Sequence, residues 1–133
     1  MRQRNIIEIL LSNGFYIAHY IDEDLSLKGK MSNIIDELLD VKNKISKISI
    51  VTGRALRTDK VFSLIVKNDI DQVADFDSIY DAMIDMREQC EDLGVKKLAV
   101  PYTDMDDMSS DAFKETIKNI FSELDLNILF YKV

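Results

Sequence analysis

Ser78 to Met108 reads SIYDAMIDMREQCEDLGVKKLAVPYTDMDDM, and the fold turns on this stretch. Ile79, Met83, Met86, Cys90 and Leu93 recur at a helical period of about 3.6 residues. Asp77 or Ser78 offers an oxygen to the unpaired N–H groups of a first turn. Gly94 follows the last apolar position and suits the left-handed conformation that ends helices. Leu98, Ala99 and Val100 are apolar without alternation, as in a short strand covered on both faces. Pro101 has no N–H to give and is expected to end that strand. A helix leading into a buried strand is the unit of an α/β fold. In open α/β sheets ligands bind beyond the carboxyl ends of strands, so function is expected first at Tyr102 to Met108.

Outward from that stretch, Asn5 to Leu10 and Phe15 to Ile21 read as strands joined by a turn at Ser12-Asn13-Gly14. Asp22 to Lys30 is a polar loop. Met31 to Val41 carries Ile34, Ile35, Leu38 and Leu39 at helical spacing, with Ser32 near its start. Ile48 to Thr52 and Lys60 to Val66 read as strands. Gly53 and Arg57-Thr58-Asp59 lie between them as a hairpin-like connection. Ser109 or Ser110 caps a last helix with Phe113, Ile117, Ile120, Phe121 and Leu124 on its core face, and Asn127 to Tyr131 is the final strand. The order β-β-α-β-β-α-β-α-β predicts one α/β domain over residues 1–133. It is a three-layer α/β/α structure whose mixed sheet has about six strands, with about three helices on its faces. The loops Asp22 to Lys30 and Tyr102 to Met108 each bring a helix N-terminus beside a strand end, an arrangement that receives phosphates and carboxylates.

Composition fits a single domain. The chain has 133 residues, 47% of them hydrophobic, with only four glycines and one proline, so little of it suits linkers or disorder. Cys90 is the only cysteine, which excludes an intrachain disulfide and a multi-cysteine zinc site. Glu8 and Asn13 interrupt the apolar run near the start, so no leader pattern is read, and nothing approaches the ~20 apolar residues of a membrane span. The expected location is the cytoplasm. A net charge of −7 disfavours binding to nucleic-acid phosphates. No cofactor, metal ion, nucleic acid or membrane is expected as a partner.

The order of elements resembles a macro domain. AMIDMREQCEDLGVKKLAVP, with its Cys-x-x-x-Gly-Val pattern at Cys90 to Val95, and the closing IFSELDLNILFYKV carry the resemblance. IAHYIDED at Ile17 to Asp24 is similar to the family's segment before its first glycine loop, and LIVK at Leu64 to Lys67 to a strand ending in a catalytic lysine. The nearest branch is that of terminal ADP-ribose protein glycohydrolase and relatives acting on ADP-ribose derivatives. The resemblance implies an α/β/α fold, recognition of ADP-ribose or an ADP-ribosylated protein, and possible ADP-ribosyl hydrolase activity. It implies Lys67 as a nucleophile, and Asp106 as the acid/base, with Asp104 and Asp107 competing for that position. Glu8 is implied in adenine binding from a first strand. Asp22 and Asp24 lie in the segment before the first phosphate loop, Asp24 matching an acidic position of the relatives; Lys28 and Gly29 correspond to that loop, and Tyr102, Thr103 and Asp104 to the second.

The loops depart from the family pattern. The first, Leu25 to Lys30, has a single glycine, and the second, Tyr102 to Asp107, has none. Glycine lets backbone N–H groups approach phosphate oxygens. Side chains obstruct that approach, and each carboxylate ~4 Å from a diphosphate costs on the order of 1–4 kcal/mol. The alternative is therefore a macro fold without nucleotide chemistry that works through protein contacts. Each candidate also has a plain structural role. Lys67 suits the solvated end of a strand, and the aspartates suit turns and helix starts. His19, the only histidine, suits a hydrogen-bonded core position, and Cys90 an inert one.

Overall fold

The computed structural model describes residues 2–22, 25, 29–45, 50–66, 75–103, 105 and 108–133. Among these residues five strands and five helices are formed. The expected strand at Asn5 is instead a helix, α1 (Arg2–Ser12). Its isoleucines favour a strand locally, but the burial pattern is helical. Ile7 is buried with Leu10 and Leu11 packed beside it, while Ile6 and Ile9 face outward, exposed. Burying one stripe of a helix has overridden local preference. Ser12-Asn13-Gly14 ends this helix rather than turning a hairpin. Ser12 Oγ and Asn13 Nδ2 donate to the Ile9 carbonyl at 2.9 and 2.7 Å, and Gly14 takes a φ of +85°.

β1 (Tyr16–Asp22) follows, close to its expected bounds. The next helix is broken in two, α2 (Gly29–Leu39) and α3 (Val41–Ile45). Asp40, at φ 53°, separates them, and the Asp36 carboxylate accepts from the Lys42 N–H at 2.7 Å. The strand expected at Ile48 to Thr52 is not found: residues 46–49 lie outside the described residues, and Ile50 to Thr52 are not in a strand. The hairpin partner comes from residues read as its connection. β2 (Ala55–Thr58) pairs antiparallel with β3 (Val61–Val66) around Asp59, whose φ is 52°. α4 (Phe76–Leu93) starts earlier than expected because its cap is Asp75, which accepts from the Ser78 N–H at 3.3 Å. Gly94 closes α4 at φ 68°. β4 (Lys97–Tyr102) runs through Pro101 rather than stopping before it. Ser109 caps α5 (Ser110–Ile120), and β5 (Asn127–Lys132) ends the sheet.

The strand order is β2-β3-β1-β4-β5. β3 and β4 run parallel to β1, and β5 runs parallel to β4. Side chains alternate across the sheet. Ala18, Tyr20, Phe62, Leu64, Leu98 and Val100 join the core under α4 and α5. Ile17, Ile21, Val61, Ile65 and Ala99 join the core under α1, α2 and α3. The layers are α/β/α around a mixed sheet, as expected. Among the described residues no helix is long and apolar enough to cross a membrane.

Candidate functional site

β1 and β4 are neighbours, but the chain leaves them in opposite directions. After β1 it passes through α2 and α3 to β2 and β3 on one side. After β4 it passes through α5 to β5 on the other. In open α/β sheets, ligand crevices form at such switch points, at the carboxyl ends of the strands. Their backbone pairing covers only Tyr16 with Leu98 and Ile17 with Ala99.

Pro101 gives the physical reason. The Ile17 N–H donates to Lys60, on the β3 side. By alternation, the backbone groups of Ala18 and Tyr20 point toward β4. On the other strand, Tyr102 accepts from the Val133 N–H at 2.9 Å on the β5 side, so Pro101 faces β1. Its missing N–H is the one that would satisfy the Ala18 carbonyl. The Tyr131 phenol supplies that bond instead, lying across β4 from the edge strand. From the opposite face the Tyr20 phenol donates to the Pro101 carbonyl at 2.7 Å. Burial raises both phenol pKa values, and for Tyr20 the nearby Tyr131 adds to the rise. Both phenols therefore remain neutral donors.

Several expected site residues come together at these strand ends. Asp22 is the last residue of β1, half-buried, and lies beside Val66 at the end of β3. Its carbonyl accepts from the Leu25 N–H at 2.8 Å, and Leu25 holds a left-handed φ of 69°. Gly29 begins α2. Tyr102 ends β4 and Thr103 follows it, both half-buried. A short bridge pairs Met105 with Met108 before α5 begins. The Lys114 ammonium stands 4.1 Å from the centre of the Tyr102 ring. Lys67, Asp106, Asp24, Lys28 and Asp104 lie outside the described residues. Glu8 does not have the strand position that its implied role required. It is exposed on α1, lining an open cavity of about 400 Å³ with Asn5, Ile9 and Ser12 of the same helix.

His19 is in the core, fully buried, and its ring joins three elements. Nε2 lies 2.7 Å from Ser63 Oγ of β3, and Nδ1 lies 3.0 Å from Ser32 Oγ of α2. Ser32 Oγ in turn donates to the Tyr20 carbonyl at 3.1 Å. One proton arrangement satisfies every group: Nδ1–H donates to Ser32, and Ser63 donates to Nε2. Burial lowers the imidazole pKa from 6.5 to about 4, so the neutral ring fits the network. With no exposure, this serine–histidine cluster has no access to a substrate. Cys90 is buried as well, its thiol pKa pushed up to about 12 by burial, which makes it a poor nucleophile. Among the described residues no three His, Cys, Asp or Glu side chains gather as a metal site requires.

No protein-family model matches the sequence, and no curated protein matches it. Solved structures do resemble the fold. The macrodomain of Thermus aquaticus DarG superposes with a TM-score of 0.75 at 12% identity, covering 90% of this chain and 89% of that one. The macrodomain of Mycobacterium tuberculosis DarG gives 0.71 at 11% identity, covering 89% and 88%. Thermosipho africanus DarTG, solved in complex with ADP-ribose, gives 0.61 at 10% identity, covering 90% of this chain and 38% of that one. At such identities the likeness is one of fold, and the fold of this chain is that of a divergent macro domain.

Proposed function

We propose that the crevice at the carboxyl ends of β1 and β4 takes ADP-ribose, or the ADP-ribose group of a modified protein. The observation carrying this reading is the switch point between β1 and β4 of a macro fold, where their backbone pairing stops after two residue pairs. A structure of that fold, the Thermosipho africanus protein, holds ADP-ribose. Leu25 adds support. A left-handed backbone costs a non-glycine residue about 1–2 kcal/mol, yet the turn after β1 keeps it. Strain of that kind is concentrated at ligand sites. Lys114, over Tyr102, adds a positive charge at the end of β4.

The proposed chemistry rests on Lys67 and Asp106. The Lys67 amine attacks the anomeric carbon of the ribose, forming a C–N bond as the bond to the modified protein breaks. Asp106 protonates the leaving group. Water then displaces the lysine, with Asp106 taking its proton, and free ADP-ribose leaves. The second reading, a protein-contact module without nucleotide chemistry, is favoured by the side chains that stand where glycines would admit a diphosphate.

Calorimetric titration with ADP-ribose tests the binding. The expected affinity is weaker than that of a glycine-loop macro domain. Asp104→Gly with Asp106→Gly is expected to raise it about tenfold or more, equivalent to about 1.4 kcal/mol. No binding by either protein rejects the ligand. Release of ADP-ribose from a modified protein tests the chemistry: Lys67→Ala should abolish it, and Asp106→Ala should slow it and leave a mass adduct on the chain. Binding without release selects a recognition module, and release that survives both substitutions places the chemistry elsewhere.

A further inference from the structure

We propose that β5 pairs edge to edge with β5 of a second copy of this chain. β5 is the outer strand of the sheet, bonded to β4 on one side. The N–H groups of Asn127 and Val133 donate to Lys96 and Tyr102, so by alternation the backbone groups of Ile128 and Phe130 point away from the sheet. Among the described residues nothing bonds to them. Leu129 on this strand is 44% exposed and Val133 just after it 37%. Exposed edges are ordinarily blunted by proline, by inward charge or by a bulge. The strand, NILFYK, has no proline or glycine, and its single charge is at its end.

The sequence of the strand fits its own copy. An antiparallel pairing with its two-fold axis at Leu129 lets Ile128 exchange backbone hydrogen bonds with Phe130 of the second copy, and the reverse. Leu129 then lies against Leu129 of the second copy at the axis, covering the most exposed apolar side chain of the strand. Lys132 falls past the last facing pair of strand residues, so the lysines of the two copies lie at opposite ends of the pairing. No like charges face each other within the ladder. Such an interface is isologous and closed at two copies. It joins two five-stranded sheets through the edge opposite β2.

Sedimentation of the whole chain over a range of concentrations, with oxidative cross-linking, tests the pairing. The wild type is expected to form dimers. Leu129→Lys places two ammonium groups at the axis and should weaken the dimer by about tenfold or more. Its melting temperature should stay close to that of the dissociated wild type, because Leu129 is already 44% exposed. Leu129→Cys should form an intermolecular disulfide on oxidation. Facing residues of such a pair lie about 4.5 Å apart at Cα, within the disulfide range of roughly 4.4–6.8 Å. The buried Cys90 gives the wild type no such link. A monomer at every concentration overturns the proposal and leaves the edge to a strand of another protein. A dimer that is indifferent to Leu129→Lys, and that Leu129→Cys does not cross-link, overturns it as well.

Discussion

As pH falls from neutrality to about 4, the protein is expected to lose about 3 kcal/mol of unfolding free energy through His19 alone. The folded-state pKa is about 4, against 6.5 for the unstructured side chain, and one pKa unit corresponds to about 1.36 kcal/mol. The sign follows from proton counting. Between these values the unfolded chain binds a proton that the folded chain excludes, so stability rises with pH. The contribution is complete above pH 6.5 and lost as pH falls to about 4. The groups bonded to the ring are the hydroxyls of Ser63 from β3 and Ser32 from α2. Among the described residues no carboxylate bonds to the imidazole to favour its charged form. Denaturant unfolding of wild type and His19→Gln across this range measures the contribution, with other titrations cancelling in the difference. The variant should be about 2–3 kcal/mol less stable at pH 7, and the gap should close in acid. Parallel pH profiles for the two proteins would reject the assignment.

Tyr131→Phe is expected to cost about 1–3 kcal/mol, because the Ala18 carbonyl loses the phenol that stands in for the missing N–H of Pro101. The ring and most of its packing remain, so the loss is one of hydrogen bonding. Pro101→Ala restores an N–H on the side facing β1, and in that background Tyr131→Phe should cost less. A double-mutant cycle isolates the coupling. If the two costs add within about 0.5 kcal/mol, the phenol is not the substitute donor. Tyr20→Phe serves as the companion case on the opposite face, where the Pro101 carbonyl loses its bond.

Where a single periodic pattern determined the element, the sequence was legible. α4 and α5 show helical spacing, and Ile79, Met83, Met86, Cys90, Phe113, Ile117, Ile120 and Phe121 are buried as that spacing implies, whereas Leu93 at the end of α4 is exposed. The strands at Phe15, Lys60, Lys97 and Asn127 lie within a residue or so of their expected starts. α1 was obscured because Ile6, Ile7 and Ile9 satisfy strand preference and helical spacing at once, and only packing on the sheet decides between them. β2 was obscured because Arg57 and Thr58 look like turn residues, though their backbone pairs with β3. The strand ends could be located from the sequence, but the tyrosine bridges beside them could not. They join residues 81 and 113 positions apart, and a tyrosine in a strand carries no mark of the carbonyl it will meet. The available signal was Pro101 itself: a proline within a central parallel strand requires another donor. The glycine-poor loops were legible only as a departure from a pattern, and Lys67, Asp104 and Asp106 lie outside the described residues.

The central position of β1 also sets the order in which the chain can assemble. Its neighbours β3 and β4 come from distant parts of the chain, whereas β2 with β3, and β4 with α5 and β5, are built from consecutive segments. Loop-closure entropy delays distant pairings relative to local ones. The two local units are therefore expected to gain structure first, and the β1 ladders to close last, locking when the imidazole of His19 meets Ser63, 44 residues further along the chain. Pulsed hydrogen exchange during refolding should show amides of β2, β3 and β5 protected before those of β1; early protection of β1 would reverse this order.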